Sequence, residues 1–426
     1  MSAWFRSRAG HYSAGPALRV PAHRASSAVL AGAYPFLAPP TVDQGVPVGV
    51  DLFSGGAFCF DPWTQYADGT LTNPNVLLAG VIGQGKSALA KSLALRSIAA
   101  GRTVYVPGDP KGEWAVVADA VGGTVLRLGP GSPTRLNPLE VVGEDRQALR
   151  SQLLAGVASA TLRRDLTAAE HSALDAALAH LSGRGTITIR EVIEALVSPD
   201  TRLARADGMR VQERAADGRD LVHGLRRLVS GDLAGLFDAP TTDALDRMAS
   251  MVVLDLSALG SDDDALAIAS TCAAAWVEGA LASSTNPRWV IYDEAWRLLR
   301  HPGLIRRMQA QWKLSRAYGI ANLLVLHRLS DLDAVGHRGS ETRALADGLL
   351  ADCSTRVIYR QEADQLAAAT ASLGLTEPER DLLPLLSRGT GLWKLPGRSH
   401  VVQHVLLPIE EPLVDTDAAM RVGGWS

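Results

Sequence analysis

Lysine is scarce in this chain. Of 42 lysines and arginines in 426 residues, only Lys86, Lys91, Lys111, Lys313 and Lys394 are lysine. Arginine carries the remaining positive charge and alanine is abundant, which reads as high-GC bacterial coding bias. Cysteine is scarcer still. Cys59, Cys272 and Cys353 are the whole complement, and they have no metal-ligand spacing. That excludes a cysteine-rich disulfide framework or cysteine zinc cluster and suits a reducing cytosol, with the three thiols expected in the core. The net charge of −3 excludes a global basic field of the kind that announces nucleic acid. No segment reads as a membrane span: the uncharged stretch from Ala25 to Val42 carries Pro35, Pro39 and Pro40. The N-terminus also lacks the compact apolar core of a signal peptide. Acid is absent before Asp43, while Arg6, Arg8, Arg19 and Arg24 lie there. Residues 1–42 are therefore expected to be a flexible basic tail, solvated or touching acidic lipid or a partner. With 47% hydrophobic and 20% charged residues, the rest has an ordinary globular balance. Its length fits two to three domains or one large elaborated one.

Against these absences, one octapeptide stands out. Gly80-Val81-Ile82-Gly83-Gln84-Gly85-Lys86-Ser87 fits the P-loop pattern without mismatch. Asn75 to Ala79 before it reads as a short buried strand, and Ser87 to Ala99 after it as a helix rich in Ala and Leu. Strand, glycine loop and helix in that order form a phosphate cradle. Backbone N–H groups of Gly83, Gln84, Gly85, Lys86, Ser87 and Ala88 would face the phosphates at the positive end of the helix. Lys86 would reach the β- and γ-phosphates of ATP, and Ser87 would place its hydroxyl on Mg2+. Gly83 and Gly85 are expected where a Cβ would obstruct the backbone or where φ is positive.

A second half of the site lies far downstream. Arg288-Trp289-Val290-Ile291-Tyr292-Asp293-Glu294 is an apolar run ending in two acids. Such runs read as central strands of parallel sheets, whose C-terminal ends are where α/β folds bind ligands. Asp293 would hold Mg2+, and Glu294 would orient and deprotonate the attacking water. The pair also suits the N-terminus of a following helix.

Between these motifs the texture changes. Thr103 to Val106 reads as a strand running into Gly108-Asp109-Pro110-Lys111-Gly112-Glu113-Trp114. That turn either lines the site with Asp109, Lys111 and Glu113 or is simply solvated. Residues 141–245 read as a mostly helical insertion, with helices over Asp145–Ala160, Thr167–Leu181, Ile189–Val197 and Leu221–Val229. Strands resume at Met251–Leu256, Ile320–Leu326 and Thr355–Tyr359, with a helix over Asp263–Leu281. Two short runs, Val48–Leu52 and Ala57–Phe60, form a small β segment ahead of the P-loop strand. The expected fold class is α/β: a RecA-like P-loop NTPase with a mainly parallel sheet and a mostly helical insertion. The motor domain would comprise residues 43–140 and 246–410, with a C-terminal tail over 411–426.

Two features point beyond nucleotide binding to a motor. His327 ends the Ile320–Leu326 strand, where an imidazole would contact γ-phosphate or attacking water, or else cap the strand. Trp296 to Ser330 contains no acid and carries Arg297, Arg300, Arg306, Arg307, Lys313, Arg316 and Arg328. Such a stretch meets phosphates of DNA or of a neighbouring subunit's nucleotide, or it is a solvated basic helix. Arg316 is the first candidate for an arginine finger, with Arg356 and Arg360 as others.

Several segments together resemble the conjugative ATPases of type IV secretion systems, the family of the fourth VirB protein, and more broadly the FtsK/HerA superfamily of motors. The resemblance spans about Val46 to Leu407. Its carriers are Phe60-Asp61-Pro62-Trp63, the P-loop, Asp109-Pro110-Lys111-Gly112-Glu113, Leu136-Asn137-Pro138-Leu139, Tyr292-Asp293-Glu294-Ala295-Trp296-Arg297-Leu298-Leu299, Ser315-Arg316-Ala317-Tyr318-Gly319 and Gly389-Thr390-Gly391-Leu392-Trp393. The acidic motif running into Ala-Trp-x-Leu-Leu is the most family-specific of these. The resemblance implies a ring of copies, a hexamer, working in the cytoplasm at the inner face of the cell membrane with other secretion-system proteins. ATP hydrolysis would power secretion or pilus assembly, on a protein, DNA or nucleoprotein substrate. Two departures stand out. Only a short tail precedes the motor where the family has a sizeable domain, so membrane docking is expected to be peripheral, through a partner. The family often has glutamine where His327 stands. Two rival functions remain, a DNA-translocating coupling protein or HerA-like pump, and a nucleotide-gated assembly scaffold with little turnover.

Overall fold

The computed structural model describes residues 44–141, 146–242, 249–260, 262–281, 286–300, 302–327, 340–362 and 365–415. The expected basic N-terminal tail, Arg328 and the end of the C-terminal tail lie outside them. In chain order the strands are β1 (Val46–Asp51), β2 (Ala57–Phe60), β3 (Val76–Ala79), β4 (Thr103–Asp109), β5 (Thr124–Arg127), β6 (Met251–Asp255), β7 (Arg288–Tyr292), β8 (Ile320–Leu326), β9 (Thr355–Tyr359), β10 (Thr390–Leu395) and β11 (Arg398–His404). The chain divides into two compact units.

The first unit comprises Met1–Gly101, Leu323–Ser330 and Leu350–Ser426. Its strands run in the order β2-β1-β11-β10-β9-β3-β8. β3 lies parallel between β8 and β9, with Ala79 opposite Leu326 on one side and Ile358 on the other. All four β3 residues are buried, which is why this strand is a continuous apolar run with no polar alternation. β10, β11, β1 and β2 extend the array antiparallel. The β10–β11 hairpin closes at Pro396-Gly397, with Leu395 opposite Arg398 and Gly397 at φ +72°. Proline followed by a positive-φ glycine is the pattern of a type II turn. Phe58 and Phe60 pack against Trp393 at 5.0 and 5.2 Å between ring centroids.

The helix Lys86–Ala99 follows β3, and its C-terminal end is anchored through Arg96. That guanidinium bonds both carboxylate oxygens of Glu410, at 2.7 and 2.6 Å, and the carbonyls of Pro47 and Val405. A fork-shaped cation is the side chain suited to so many acceptors at once.

The second unit comprises Arg102–Asn322 and Asp331–Leu349. Its strands run β7-β4-β6-β5, all parallel. β4 is longer than the expected Thr103–Val106. Its register with β6 is interrupted after Val106 and resumes where Asp109 faces Asp255. A mostly helical insertion lies between β5 and β6: Arg146–Leu162, Ala168–His180, Ile189–Val197, Thr201–Ala206, Val211–Asp217 and Arg219–Val229. Two of these helices start at capping boxes, Thr167 with Glu170 and Thr188 with Glu191. In each box a hydroxyl and a carboxylate satisfy N–H groups that the helix leaves open. Asn137, fully buried, ties the segment before this insertion to its middle and to its far end. Its amide donates to the Ile187 carbonyl at 2.8 Å, and its backbone N–H donates to the Thr241 hydroxyl at 3.0 Å.

The mixed α/β architecture, the parallel strands and the helical insertion agree with the fold class expected from the sequence. All three cysteines are buried thiols outside any disulfide.

Candidate nucleotide site

The P-loop belongs to the first unit. Gly83 and Gly85 take φ of +80° and +100°, values that cost a side chain about 1 kcal/mol or more. Gly85 is the residue that caps the helix beginning at Lys86. No acid occupies that helix's first turn, so its positive end is left uncompensated for an anion. Lys86 is buried, and its ammonium bonds the carbonyls of Gly80 at 2.5 Å and Val81 at 2.9 Å. Ser87 and Ala88, next along the helix, are half-buried.

Neighbouring backbone holds the loop on two sides. The Val81 N–H donates to the Arg360 carbonyl at 3.1 Å, and the Gly389 N–H donates to the Gln84 carbonyl at 2.9 Å. The second contact explains what the closing glycine motif does. A Cβ at Gly85 would lie 3.7 Å from Gly389, so the two glycines are close neighbours. The parallel register sets His327 one residue beyond the Ala79–Leu326 pair, level with Gly80 where the P-loop leaves β3. Arg360 lies at that same end of β9. Arg356 sits near the other end, level with Leu77, and donates to the Leu373 carbonyl at 2.8 Å.

Asp293 and Glu294 belong to the second unit and follow the C-terminal end of β7. Both are buried. The Asp109–Trp114 turn, left open in the sequence between a site wall and a solvated loop, touches both. The Trp114 indole donates to Asp293 at 3.0 Å, and Lys111 makes an ion pair with Glu294. The Trp296 indole donates to the other Glu294 oxygen at 2.7 Å. Glu294 has φ +52°, a left-handed value uncommon outside glycine and worth attention at a functional position. Asp109 shapes the turn by accepting the N–H groups of Lys111 at 3.2 Å and Trp114 at 2.8 Å. Burial pushes its carboxyl up to about 6; the Trp114 and Lys111 N–H groups pull it back, and the charge of Asp255 adds to the rise.

The basic stretch is partly neutralised within the second unit. Arg297 pairs with Asp263 at 3.2 Å and stacks on Trp296, its guanidinium 5.1 Å from the ring centroid. Arg306 pairs with Asp165 of the helical insertion. Arg306 is thus neutralised by an acid from outside the basic stretch, while Lys313 is exposed. Arg316 is exposed, in the turn before the N-terminal end of β8. That turn is closed by the Ile320 N–H donating to Ser315 at 2.8 Å.

The structure thus brings Gly83, Gln84, Gly85, Lys86, Ser87, Ala88 and His327 together in one unit and Asp293 with Glu294 in the other. Arg316 stands apart at a strand's opposite end. Lys111 takes the first of the two alternatives open for its turn, while Trp114 and Trp296 are additions that the spacing of motifs did not assign. A serine hydroxyl and an aspartate carboxylate are hard oxygen donors that suit Mg2+. Among the described residues no group of three or more His, Cys, Asp or Glu side chains could hold a metal by itself.

No family model matches the sequence, and a search of curated proteins finds no match. Solved structures do match. The chain is similar to VirB4 of Thermoanaerobacter pseudethanolicus, at 25% identity and TM-score 0.70, over 88% of this chain and 100% of that one. It also shares its fold with the bacterial conjugative coupling protein TrwB lacking its N-terminal segment, at 17% identity and TM-score 0.55, over 86% and 90% of the two chains. The same holds for the plasmid coupling protein TrwB in complex with ADP and Mg2+, at 16% identity and TM-score 0.56, over 86% and 91%.

Proposed function

We propose that this chain is an ATP-hydrolysing motor that powers type IV secretion or conjugative transfer. The P-loop carries the reading: two positive-φ glycines, a buried lysine and a helix end free of acid, in a chain similar to VirB4 along that structure's whole length. The N–H groups from Gly83 to Ala88 and the Lys86 ammonium bind the triphosphate of ATP. Ser87 and Asp293 hold Mg2+, which when bound screens the phosphate charge. Glu294 takes the proton of the attacking water, and His327 contacts that water or the γ-phosphate. Arg316 acts on the nucleotide of a neighbouring copy in a ring, a hexamer. Its place before β8, at the opposite end of that strand from His327, supports a role in trans.

No described helix is long and apolar enough to cross a membrane. We place the ring in the cytoplasm at the inner face of the membrane, held peripherally by other secretion-system proteins. Residues 43–140 and 246–410 form the motor, and 141–245 form its helical insertion.

The fold shared with TrwB favours a second reading, a DNA-translocating coupling protein or HerA-like DNA pump. One experiment separates the two. ATPase activity is measured on the purified chain without DNA and with single- or double-stranded DNA, alongside Lys86→Ala. Turnover that is independent of DNA supports the secretion motor. Strong, salt-sensitive stimulation by DNA supports the DNA pump. Tight ATP binding without turnover would leave only an assembly scaffold.

A further inference from the structure

Both oxygens of Glu294 are occupied by donors. Lys111 pairs with one and the Trp296 indole donates to the other. The Glu294 side chain is 6% exposed, and its left-handed backbone persists only because the surroundings hold it. A general base needs a lone pair that water can reach. This is the arrangement of a base at rest.

The two partners differ in freedom. Trp296 is two residues from Glu294 and part of the same segment. Lys111 arrives from a separate turn, and its side chain is 46% exposed, so it can leave without unpacking a core. Its backbone stays anchored when it does, because Asp109 accepts the N–H groups of Lys111 and Trp114. Burial works against the ammonium, but the bond to Glu294 and the charges of Glu294, Glu113 and Asp293 more than offset it, and Lys111 is held above its ordinary value. The phosphates of a nucleoside triphosphate carry more charge than a single carboxylate and can compete for that ammonium.

Resting on the reading of Glu294 as the base, we propose that Lys111 is a latch. It is a positioning residue that holds Glu294 idle between turnovers and frees it when the phosphates of bound nucleotide compete for the ammonium.

The test uses the full chain carrying Lys111→Met, Lys111→Arg, Glu294→Gln and the Lys111→Met, Glu294→Gln double change. Methionine keeps the apolar stem and removes the charge. At saturating ATP, Lys111→Met raises kcat about threefold or more and leaves KM within about twofold. Lys111→Arg restores the parent rate, and the double variant stays inactive. Thermal unfolding of the parent, the two single variants and the double variant reads the contact without catalysis. The effects of Lys111→Met and Glu294→Gln are non-additive in the nucleotide-free protein and become additive with a non-hydrolysable ATP analogue and Mg2+. An unchanged or lowered kcat in Lys111→Met overturns the latch, as does coupling that survives the analogue. If Glu294→Gln alone keeps full turnover, the assignment of the base has failed, and the latch falls with it.

Discussion

Trp114 donates its indole N–H to Asp293 across 3.0 Å, from a turn 179 residues earlier in the chain. The tryptophan is fully buried, so the bond fixes the Asp293 carboxylate in one orientation. Partners of this kind govern how well a carboxylate serves a metal. Trp114→Phe keeps most of the packing and removes the donor. The Mg2+ concentration for half-maximal ATPase should rise about tenfold, with metal-free nucleotide binding unaffected. An unchanged Mg2+ dependence would separate Trp114 from the metal site.

Lys86 has a narrower role than its burial implies. Its ammonium bonds carbonyls of its own loop, so in Lys86→Ala water can take over part of what is lost. ATP affinity should fall about tenfold to a hundredfold, the worth of a charge-assisted bond. Titration with a fluorescent ATP analogue measures this, and a melting temperature close to the parent's shows that the loss is local.

Glu294→Gln keeps the size and shape of the side chain and cannot accept the proton. Binding of ATP should persist while turnover falls about a hundredfold or more. A variant that binds but does not turn over also tests the assignment of Arg316. Rings mixed from Glu294→Gln and Arg316→Ala subunits should recover turnover, because an intact base in one copy meets an intact arginine from its neighbour. Mixed rings no more active than either parent variant would count against action in trans.

Much of this fold was legible because buried strands and helices write themselves as apolar runs. β8 and the helix Asp263–Leu281 match the expected bounds residue for residue. β4 runs past the expected end because Pro107-Gly108 looks like a terminator. The strand resumes pairing only through its neighbour β6, at Asp109 opposite Asp255. The β10–β11 hairpin was missed for a related reason. Lys394 and Arg398 interrupt its apolar pattern, and Lys394 becomes an acceptable strand residue only because Glu379 receives its ammonium at 2.9 and 2.7 Å. The P-loop was visible as a contiguous motif. The grip of Lys111 and Trp114 on the acid pair was not, since it arises from β4 and β7 lying side by side in parallel, a pairing that no local pattern encodes.

The helical insertion has an acid-sensitive joint of its own. Glu170 closes the capping box of Thr167 and pairs with Arg164 at 2.7 Å. The bond from Arg164 holds its carboxyl down to about 2, against some loss from burial and with help from the Thr167 N–H. A carboxyl depressed on folding contributes stability above its ordinary value near 4.5, and that contribution disappears as pH falls through the folded value. Glu170→Gln should therefore cost about 1 kcal/mol at neutral pH, the scale of a helix cap with a partly exposed ion pair. The gap between variant and parent should narrow steadily below pH about 4.5 and close near pH about 2. Added salt at neutral pH should narrow it as well, since Arg164 is 41% exposed. Urea titrations of the two proteins at several pH values measure the gap. A difference independent of pH would show that packing, and not the charge of Glu170, is what the joint supplies.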